Sequence, residues 1–169
     1  MQALDPVLKR WPIFALVASA AMLAAAHGFE TFGHLPPCHM CLKQREAYWI
    51  AAGVAAAAIA LGLTPLQGRA IRIGAALLAI AFVYGAYWAG WQAGAEWKWW
   101  SAPVTCSSTG VRVTLQDLKE LMAGRGAAMP ACDKAAWVFL GISMAGWNFL
   151  ASVGLALASV AAALRKETA

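Results

Sequence analysis

The sequence predicts an all-α membrane protein built as a bundle of four transmembrane helices, and two observations support this fold class. Of its 169 residues, 62% are hydrophobic and 12% are charged, which is more apolar than a soluble domain of this length needs. Four apolar runs are close to the length of about 20 residues with which an α-helix crosses a bilayer. Since no run shows the alternating pattern of a membrane strand, we expect helical spans.

The spans and their connections account for the chain as a single membrane domain, residues 1–169. We predict spans at residues 12–29, 47–63, 73–95 and 135–164. The connection between the second and third spans is short and contains Pro65 and Gly68, which favour a tight turn. The other two connections, residues 30–46 and 96–134, must then share the opposite side of the membrane.

Basic residues at the span ends indicate the orientation. Three pairs lie on the side of the termini: Lys9 and Arg10, Arg69 and Arg72, and Arg165 and Lys166. The positive-inside rule then places both termini in the cytoplasm and the two longer loops outside it, although these loops also contain basic residues. The net charge of +5 does not predict a nucleic-acid partner, because the bases lie at helix ends and in loops. A cleavable signal peptide ending near Ala26 is the alternative interpretation of the first span.

All four cysteines lie in the two predicted outer loops. Cys38 and Cys41 fall in the first loop, and Cys106 and Cys132 fall in the second. Thiols that served as small apolar core residues would be expected within the spans instead. An even number of cysteines confined to one side indicates disulfide chemistry in an oxidising environment outside the cytoplasm.

Cys38 and Cys41 form a CxxC motif at the predicted start of the second helix, since Pro36-Pro37 prevents a helix immediately before it. Cys41 would then lie at the helix N-terminus, where the macrodipole and the free backbone N–H groups favour the reactive thiolate. Arg45 follows one turn later on the same face and adds a permanent positive charge. This arrangement favours electron transfer over a permanent cross-link.

Two other functions stay open at this point. Two structural disulfides would make the chain a membrane scaffold, and closing the segment between Cys106 and Cys132, 26 residues apart, would stabilise it by about 3.5 kcal/mol. A metal transporter or chaperone would use His34 and His39 beside the CxxC motif. We expect no metal site, because the chain has a single CxxC motif and because the adjacent Cys38 and His39 are unfavourable ligands for one ion.

Aromatic side chains gather at the outer end of the third span. They are Tyr84, Tyr87, Trp88, Trp91, Trp97, Trp99 and Trp100. They fit either an interfacial aromatic belt or the wall of a flat pocket for a ring-shaped, lipid-soluble ligand. In the second outer loop, Thr114 and Asp117 resemble a helix N-cap and its acidic third residue. They predict a short helix that ends near Gly124 and either lies on the membrane surface or packs on the top of the bundle.

Three sets of residues occur together in chain order. They are PCHMC at residues 37–41 with Gln44 and Arg45, then Cys106, and then Cys132 followed by WVFLGISMAGWN at residues 137–148. With the ordered helix pattern, they resemble the disulfide bond formation protein B (DsbB) family of bacterial inner-membrane proteins. The resemblance covers about residues 11–164.

The resemblance implies a multi-pass enzyme of the bacterial inner membrane, a thiol oxidoreductase with a quinone, ubiquinone or menaquinone, as its electron acceptor. It would reoxidise a periplasmic thioredoxin-fold dithiol oxidase similar to DsbA and so sustain disulfide bond formation. By this resemblance, Cys106 is attacked by the reduced partner, and Cys132 resolves the mixed disulfide and exchanges with Cys38. Cys41 then passes the electrons to the quinone while Arg45 holds its thiolate.

Two glutamines near these motifs are further candidates. Gln92, near the end of the third span, is a candidate for binding a quinone oxygen, and Gln44 occupies a position that is acidic in some members of the family. The membrane lipid and its quinone pool would surround this site. A paralogue dedicated to one specific partner oxidase is the remaining alternative, because such paralogues share the same motifs.

Overall fold

The structure is a computed structural model that describes residues 7, 8, 10–65, 67–103, 106, 119, 122 and 131–165. In chain order, its elements are α1 (Trp11–Thr31), α2 (His39–Leu61), α3 (Gln67–Glu96), β1 (Val138–Phe139), β2 (Ile142–Ser143) and α4 (Met144–Leu164). The two strands pair antiparallel in a short hairpin. The described chain is mostly helical, so the predicted all-α class is confirmed except for this hairpin.

Helix α3 lies between α2 and α4 and packs closely against both, whereas α1 packs mainly against α2. Small residues form much of these interfaces, and Ala51 and Ala55 of α2 and Ala75 of α3 are fully buried. Leu78 and Phe82 of α3 fill the centre of the bundle. Small side chains allow close helix contact, which supplies the van der Waals attraction that holds helices together in lipid.

Among the residues that the structure describes, three helices are long and apolar enough to cross a membrane: α1, α3 and α4. Helix α2 differs because it begins at His39, so that its first two turns contain the polar residues Lys43, Gln44, Arg45 and Glu46. Its apolar part is shortened to residues 47–61, fewer than the about 20 residues of a typical span. The predicted span at residues 47–63 therefore stays a prediction.

The fourth helix begins at Met144 rather than at the predicted Ala135, because the hairpin occupies the intervening residues. Leu140 and Gly141 form its two-residue turn with φ angles of 51° and 78°, the left-handed geometry that such tight turns need. Ser143 then caps α4 by accepting a hydrogen bond from the N–H of residue 146 at 3.1 Å. The apolar run is thus divided into a hairpin and a helix.

The interfacial helix predicted from Thr114 to Gly124 lies almost entirely outside the described residues. Lys119 and Met122 are described within it, and both are helical and exposed. The prediction of a surface helix in the second outer loop therefore stays a prediction.

Helices α2 and α3 approach each other closely at Gly74, where an added Cβ would lie 2.6 Å from the Cβ of Ala58. We expect Gly74→Val to push the helices apart and to lower the free energy of unfolding by about 2 kcal/mol, as overpacking typically does. Gly154→Val on α4 is the matched control, because no atom lies within 4 Å of that Cβ position. Unfolding of detergent-solubilised protein by SDS, followed by circular dichroism, measures both, and equal losses would contradict the close approach.

Candidate redox site

The cysteines of the two outer loops meet in one buried cluster. Cys38, Cys106 and Cys132 are 3%, 5% and 1% exposed. They pack around the fully buried Met40, and the partly buried Cys41 borders them. Sulfur atoms from distant parts of the chain therefore lie in one small volume, as thiol–disulfide exchange requires.

The predicted aromatic group divides between this cluster and a second feature. Trp88 and Trp91 pack against the cysteines and stack on each other, with ring centroids 6.0 Å apart. Tyr87, Trp97 and Trp100 line an apolar cleft of about 1050 Å³ between α3 and α4, which Trp91 also borders. This end of α3 thus forms both a wall of the sulfur cluster and a wall of the apolar cleft.

Cys106 and Cys132 form a disulfide, with Cα atoms 5.2 Å apart. The Cys132 N–H donates to the Cys106 carbonyl at 3.1 Å, so the two segments also pair through their backbones. Lys98, just beyond α3, donates to the Asp133 carboxylate at 2.9 Å, and this hydrogen bond lowers the pKa of Asp133. The ion pair holds the segment containing Cys132 beside the end of α3.

Cys38 and Cys41 are free thiols at the N-terminus of α2. Cys38 is the N-cap residue, with φ −79° and ψ 170°, and its sulfur accepts a hydrogen bond from the Cys41 N–H at 3.2 Å. Cys41 lies in the first helical turn, the position that the flanking prolines predict. Its sulfur is therefore close to the positive end of the helix dipole.

Gln92 of α3 contacts both thiols. Its Oε1 lies 3.7 Å from each of the sulfur atoms of Cys38 and Cys41, and its Nε2 lies 3.7 Å from the Cys41 sulfur. Gln44 Nε2 donates to the same Oε1 at 2.7 Å. Both glutamines are buried. The structure thus places the predicted quinone-binding residue Gln92 against the dithiol itself.

The two thiols of the CxxC motif differ in their electrostatics. The hydrogen bond with Cys41, together with burial, raises the pKa of Cys38 well above its usual value. The hydrogen bond with Cys38 lowers the pKa of Cys41 to about 7, assisted by Gln92 and opposed by burial and by the charge of Glu96. Cys41 therefore ionises at a lower pH than Cys38 and is the more reactive of the two sulfurs near neutral pH.

A second apolar cleft, of about 460 Å³, opens beside Cys41. Four aromatic side chains form much of its wall: Phe29, Trp137, Phe139 and Trp147. Trp137 lies 5.2 Å from Phe29 between ring centroids, and the Trp147 Nε1–H donates to the Phe139 carbonyl at 3.1 Å. The sequence does not reveal this wall, because the hairpin is apolar enough to be predicted as part of the fourth span, although the WVFLGISMAGWN motif marks the segment.

Arg45 lines the same cleft as Cys41. Its guanidinium pairs with the Glu30 carboxylate and donates to a backbone carbonyl of α1 at 3.0 Å. Among the described residues, the Cys41 sulfur contacts the side chains of Gln92 and Cys38. Arg45 therefore contributes a positive charge to the cleft, held in place from α1.

Comparison with known proteins identifies relatives along almost the whole chain. The family model described as Disulfide bond formation protein DsbB matches residues 9–162. A Disulfide bond formation protein B from Albidiferax ferrireducens is 32% identical over 96% of this chain and 91% of its own length. A protein of the same name from a Polaromonas species is 30% identical over 90% of this chain and 89% of its own length. No solved structure matches the chain.

The electrostatics of the CxxC motif predict a pH profile. We expect the rate at which iodoacetamide alkylates Cys41 to rise with pH through a midpoint of about 7, because a lowered pKa increases the thiolate fraction at neutral pH. Cys38, whose pKa is raised, should stay unmodified over the same range and serves as the internal control. Peptide mass spectrometry after timed quenching measures both thiols. A Cys41 midpoint at the ordinary thiol value of about 8.5 would contradict this assignment.

Proposed function

The chain belongs to the disulfide bond formation protein DsbB family, and from this premise we propose that it oxidises a periplasmic thioredoxin-fold dithiol oxidase and passes the electrons to a membrane quinone. Family membership and the three apolar helices make it a multi-pass membrane protein with disulfide oxidoreductase function. One observation supports the finer proposal above all others. Cys41 lies at the border between the buried sulfur cluster and an apolar cleft.

The first step of the proposal takes place at the Cys106–Cys132 disulfide. A sulfur of the reduced partner attacks Cys106, so that a mixed disulfide forms and Cys132 leaves as a thiolate. The second sulfur of the partner then attacks the mixed disulfide, and the partner leaves oxidised. The partner dithiol thereby loses two electrons and two protons. The choice of Cys106 as the attacked sulfur rests on the family resemblance.

The second step moves the two electrons to the CxxC motif. The Cys132 thiolate attacks Cys38, breaks the Cys38–Cys41 bond and releases Cys41 as a thiolate. The Cys106 thiolate, freed when the partner departs, then reforms its bond to Cys132 and releases Cys38. The product is an intact Cys106–Cys132 disulfide beside two free thiols, and the structure holds the four cysteines in this arrangement.

The cleft beside Cys41 fits a ring-shaped, lipid-soluble electron acceptor. Its lining is mostly apolar, and Gln44, Tyr48 and Asn148 add a few buried polar groups. These side chains and Arg45 would bind the ring oxygens. A quinone bound there supplies an acceptor for two electrons and two protons. Cys41, the more reactive of the two sulfurs near neutral pH, borders this cleft and is the sulfur from which electrons leave as its disulfide with Cys38 closes.

We place the protein in the bacterial inner membrane, with the sulfur cluster on the periplasmic side and both termini in the cytoplasm. Arg69 and Arg72 lie in the first turns of α3, and Glu96, beside the cysteines, lies at its other end. Basic residues and redox-active sulfurs are thus at opposite ends of one apolar helix. This polarity agrees with the positive-inside rule and with disulfide chemistry in an oxidising compartment.

Turnover by purified protein tests the electron path. We expect wild-type protein in detergent to reduce ubiquinone when it is supplied with a reduced thioredoxin-fold oxidase. We expect Cys41→Ser to lower this rate by at least about 1000-fold, because the nucleophilic sulfur is lost. Absorbance of the quinone measures the rate.

A trapping experiment separates the loss of one step from the loss of the whole function. Incubated with the oxidised partner, Cys132→Ser should accumulate a mixed disulfide through Cys106, because it lacks the Cys132 thiol that would displace the partner by re-forming the Cys106–Cys132 disulfide. Cys41→Ser should still exchange with the partner at Cys106. Full quinone turnover by Cys41→Ser would contradict the proposal. Wild-type disulfides that never exchange with the partner would favour a structural role for both cysteine pairs.

The position of the quinone can be tested by filling each cleft in turn. Ala151 of α4 lines the cleft beside Cys41, and Val153, two residues further, lines the larger cleft on the other side. We expect Ala151→Trp to raise the KM for quinone about tenfold or more by occupying the binding volume, which corresponds to about 1.4 kcal/mol of binding free energy. Val153→Trp is the matched control. A rise in KM with Val153→Trp alone would assign the quinone to the larger cleft.

A further inference from the structure

Five buried or partly buried side chains form a continuous hydrogen-bond chain across α2, α3 and α4. Tyr48 donates to Asn148 Oδ1 at 2.6 Å, and Asn148 Nδ2 donates to Gln44 Oε1. Gln44 Nε2 donates to Gln92 Oε1 at 2.7 Å, and Gln92 Nε2 donates to Glu96 Oε1 at 3.1 Å. Every donor points the same way along the chain. It begins in the cleft beside Cys41, which three of its members line, and ends at a carboxylate.

Glu96 determines this direction because a carboxylate accepts hydrogen bonds and donates none. If the three amides turned around together, Gln92 would point its oxygen at the Glu96 carboxylate, and two acceptors would face each other. The second oxygen, Glu96 Oε2, is buried and makes no hydrogen bond with any residue that the structure describes, although Ser143 lies close to the carboxyl group. Burying such a group is costly, so its retention requires an explanation beyond packing.

The direction of the chain distinguishes the two sulfurs of the CxxC motif. Gln92 presents its oxygen to Cys38, a contact that requires a protonated thiol. Cys41 contacts both the oxygen and the N–H of the Gln92 amide. The contact with the N–H favours a thiolate at Cys41. An amide turned the other way would favour the thiolate at Cys38 instead.

We propose that Glu96 is a positioning residue, whose carboxylate holds the Gln92 amide so that Cys41, rather than Cys38, is the sulfur that carries the negative charge. That this charge selects the sulfur from which electrons leave rests on the proposed function. The hydrogen-bond role of Glu96 does not. Glu96 acts through Gln92, since its own hydrogen bond is to that amide rather than to sulfur.

The charged groups around Cys41 come from three elements, and they decide which variants are informative. Glu96 faces it from α3, the Arg45 guanidinium of α2 is paired with Glu30 of α1, and the α4 member of the chain is the neutral Asn148. Removing the Glu96 charge would lower the pKa of Cys41, whereas losing the hydrogen bond that positions Gln92 would raise it, so the two effects oppose each other. The test therefore compares two neutral variants of similar size.

Glu96→Gln keeps a carbonyl oxygen that can accept from the Gln92 N–H, whereas Glu96→Met offers only a weak thioether acceptor. In fully reduced full-length protein, iodoacetamide alkylation of each cysteine is followed by peptide mass spectrometry from pH 5 to pH 10. We expect Cys41 of Glu96→Met to react about tenfold more slowly than Cys41 of Glu96→Gln at pH values below both midpoints, because a shift of one pKa unit changes the thiolate fraction about tenfold there. Identical Cys41 profiles in the two variants would overturn the proposal.

Glu46 of α2 provides the matched control. Its carboxylate is close to the motif in sequence but is largely exposed and pairs with Lys43 at 2.8 Å. Glu46→Gln and Glu46→Met should therefore have the same Cys41 profile, and a tenfold difference there would show that the assay reports charge or packing in general. Gln92→Met is the second test, should Glu96→Met fail to fold. This variant removes the amide itself, so its Cys41 should be alkylated more slowly than Cys41 of the wild type. An unchanged rate would overturn the proposal.

The alkylation assay needs neither quinone nor partner, so the two ideas can fail separately. If Cys41 is alkylated more slowly in Glu96→Met than in Glu96→Gln and the wild type does not reduce quinone, the positioning role is supported and the proposed function is rejected. If the wild type reduces quinone and the two Glu96 variants have identical alkylation rates, the proposed function is supported and the positioning role is rejected. Unchanged thermal unfolding midpoints exclude a general loss of structure.

Discussion

The close packing of α3 between α2 and α4 is the constraint on which the candidate site depends. At Gly85 of α3, an added Cβ would lie 3.2 Å from Ala47 of α2 and 3.4 Å from Ser152 of α4, so one glycine lets the helix contact both neighbours at the same level. About two turns further along α3, Gln92 reaches the thiols at the N-terminus of α2. Widening this interface would separate the amide from the sulfurs, because a hydrogen bond weakens steeply beyond its normal distance.

The bundle places two different environments on either side of Cys41. On one side are the buried sulfurs and the stacked rings of Trp88 and Trp91, and on the other is the apolar cleft with its aromatic wall. Thiol–disulfide exchange needs sulfur atoms in contact, whereas a lipid-soluble acceptor needs an apolar opening toward the bilayer. A residue in the first turn of α2 can border both, since the helix N-terminus is where the outer loop meets the bundle.

Much of this arrangement could be predicted from local sequence, and the rest could not. The prolines before Cys38 and the apolar run after Glu46 define the N-terminus of α2, so the reactive position of Cys41 could be predicted without tertiary information. The contact between Gln92 and the thiols depends on how α3 is rotated about its axis, which an alanine-rich helix with little amphipathic pattern does not reveal. The hairpin before α4 was missed because it is as apolar as a span and because Leu140 adopts a positive φ that its residue type does not predict.

A single amide between two sulfurs is well suited to make them unequal, because it has a hydrogen-bond donor at one end and an acceptor at the other. The helix dipole alone favours negative charge in the first turn but cannot fix the orientation of a neighbouring side chain. Glu96 removes that freedom, because its carboxylate can only accept from the Gln92 nitrogen, and Gln44 then donates to the Gln92 oxygen on the other side. The asymmetry of the dithiol then follows from a carboxylate that is not itself hydrogen-bonded to sulfur, and the buried polar chain has a role that an apolar core of equal volume could not fulfil.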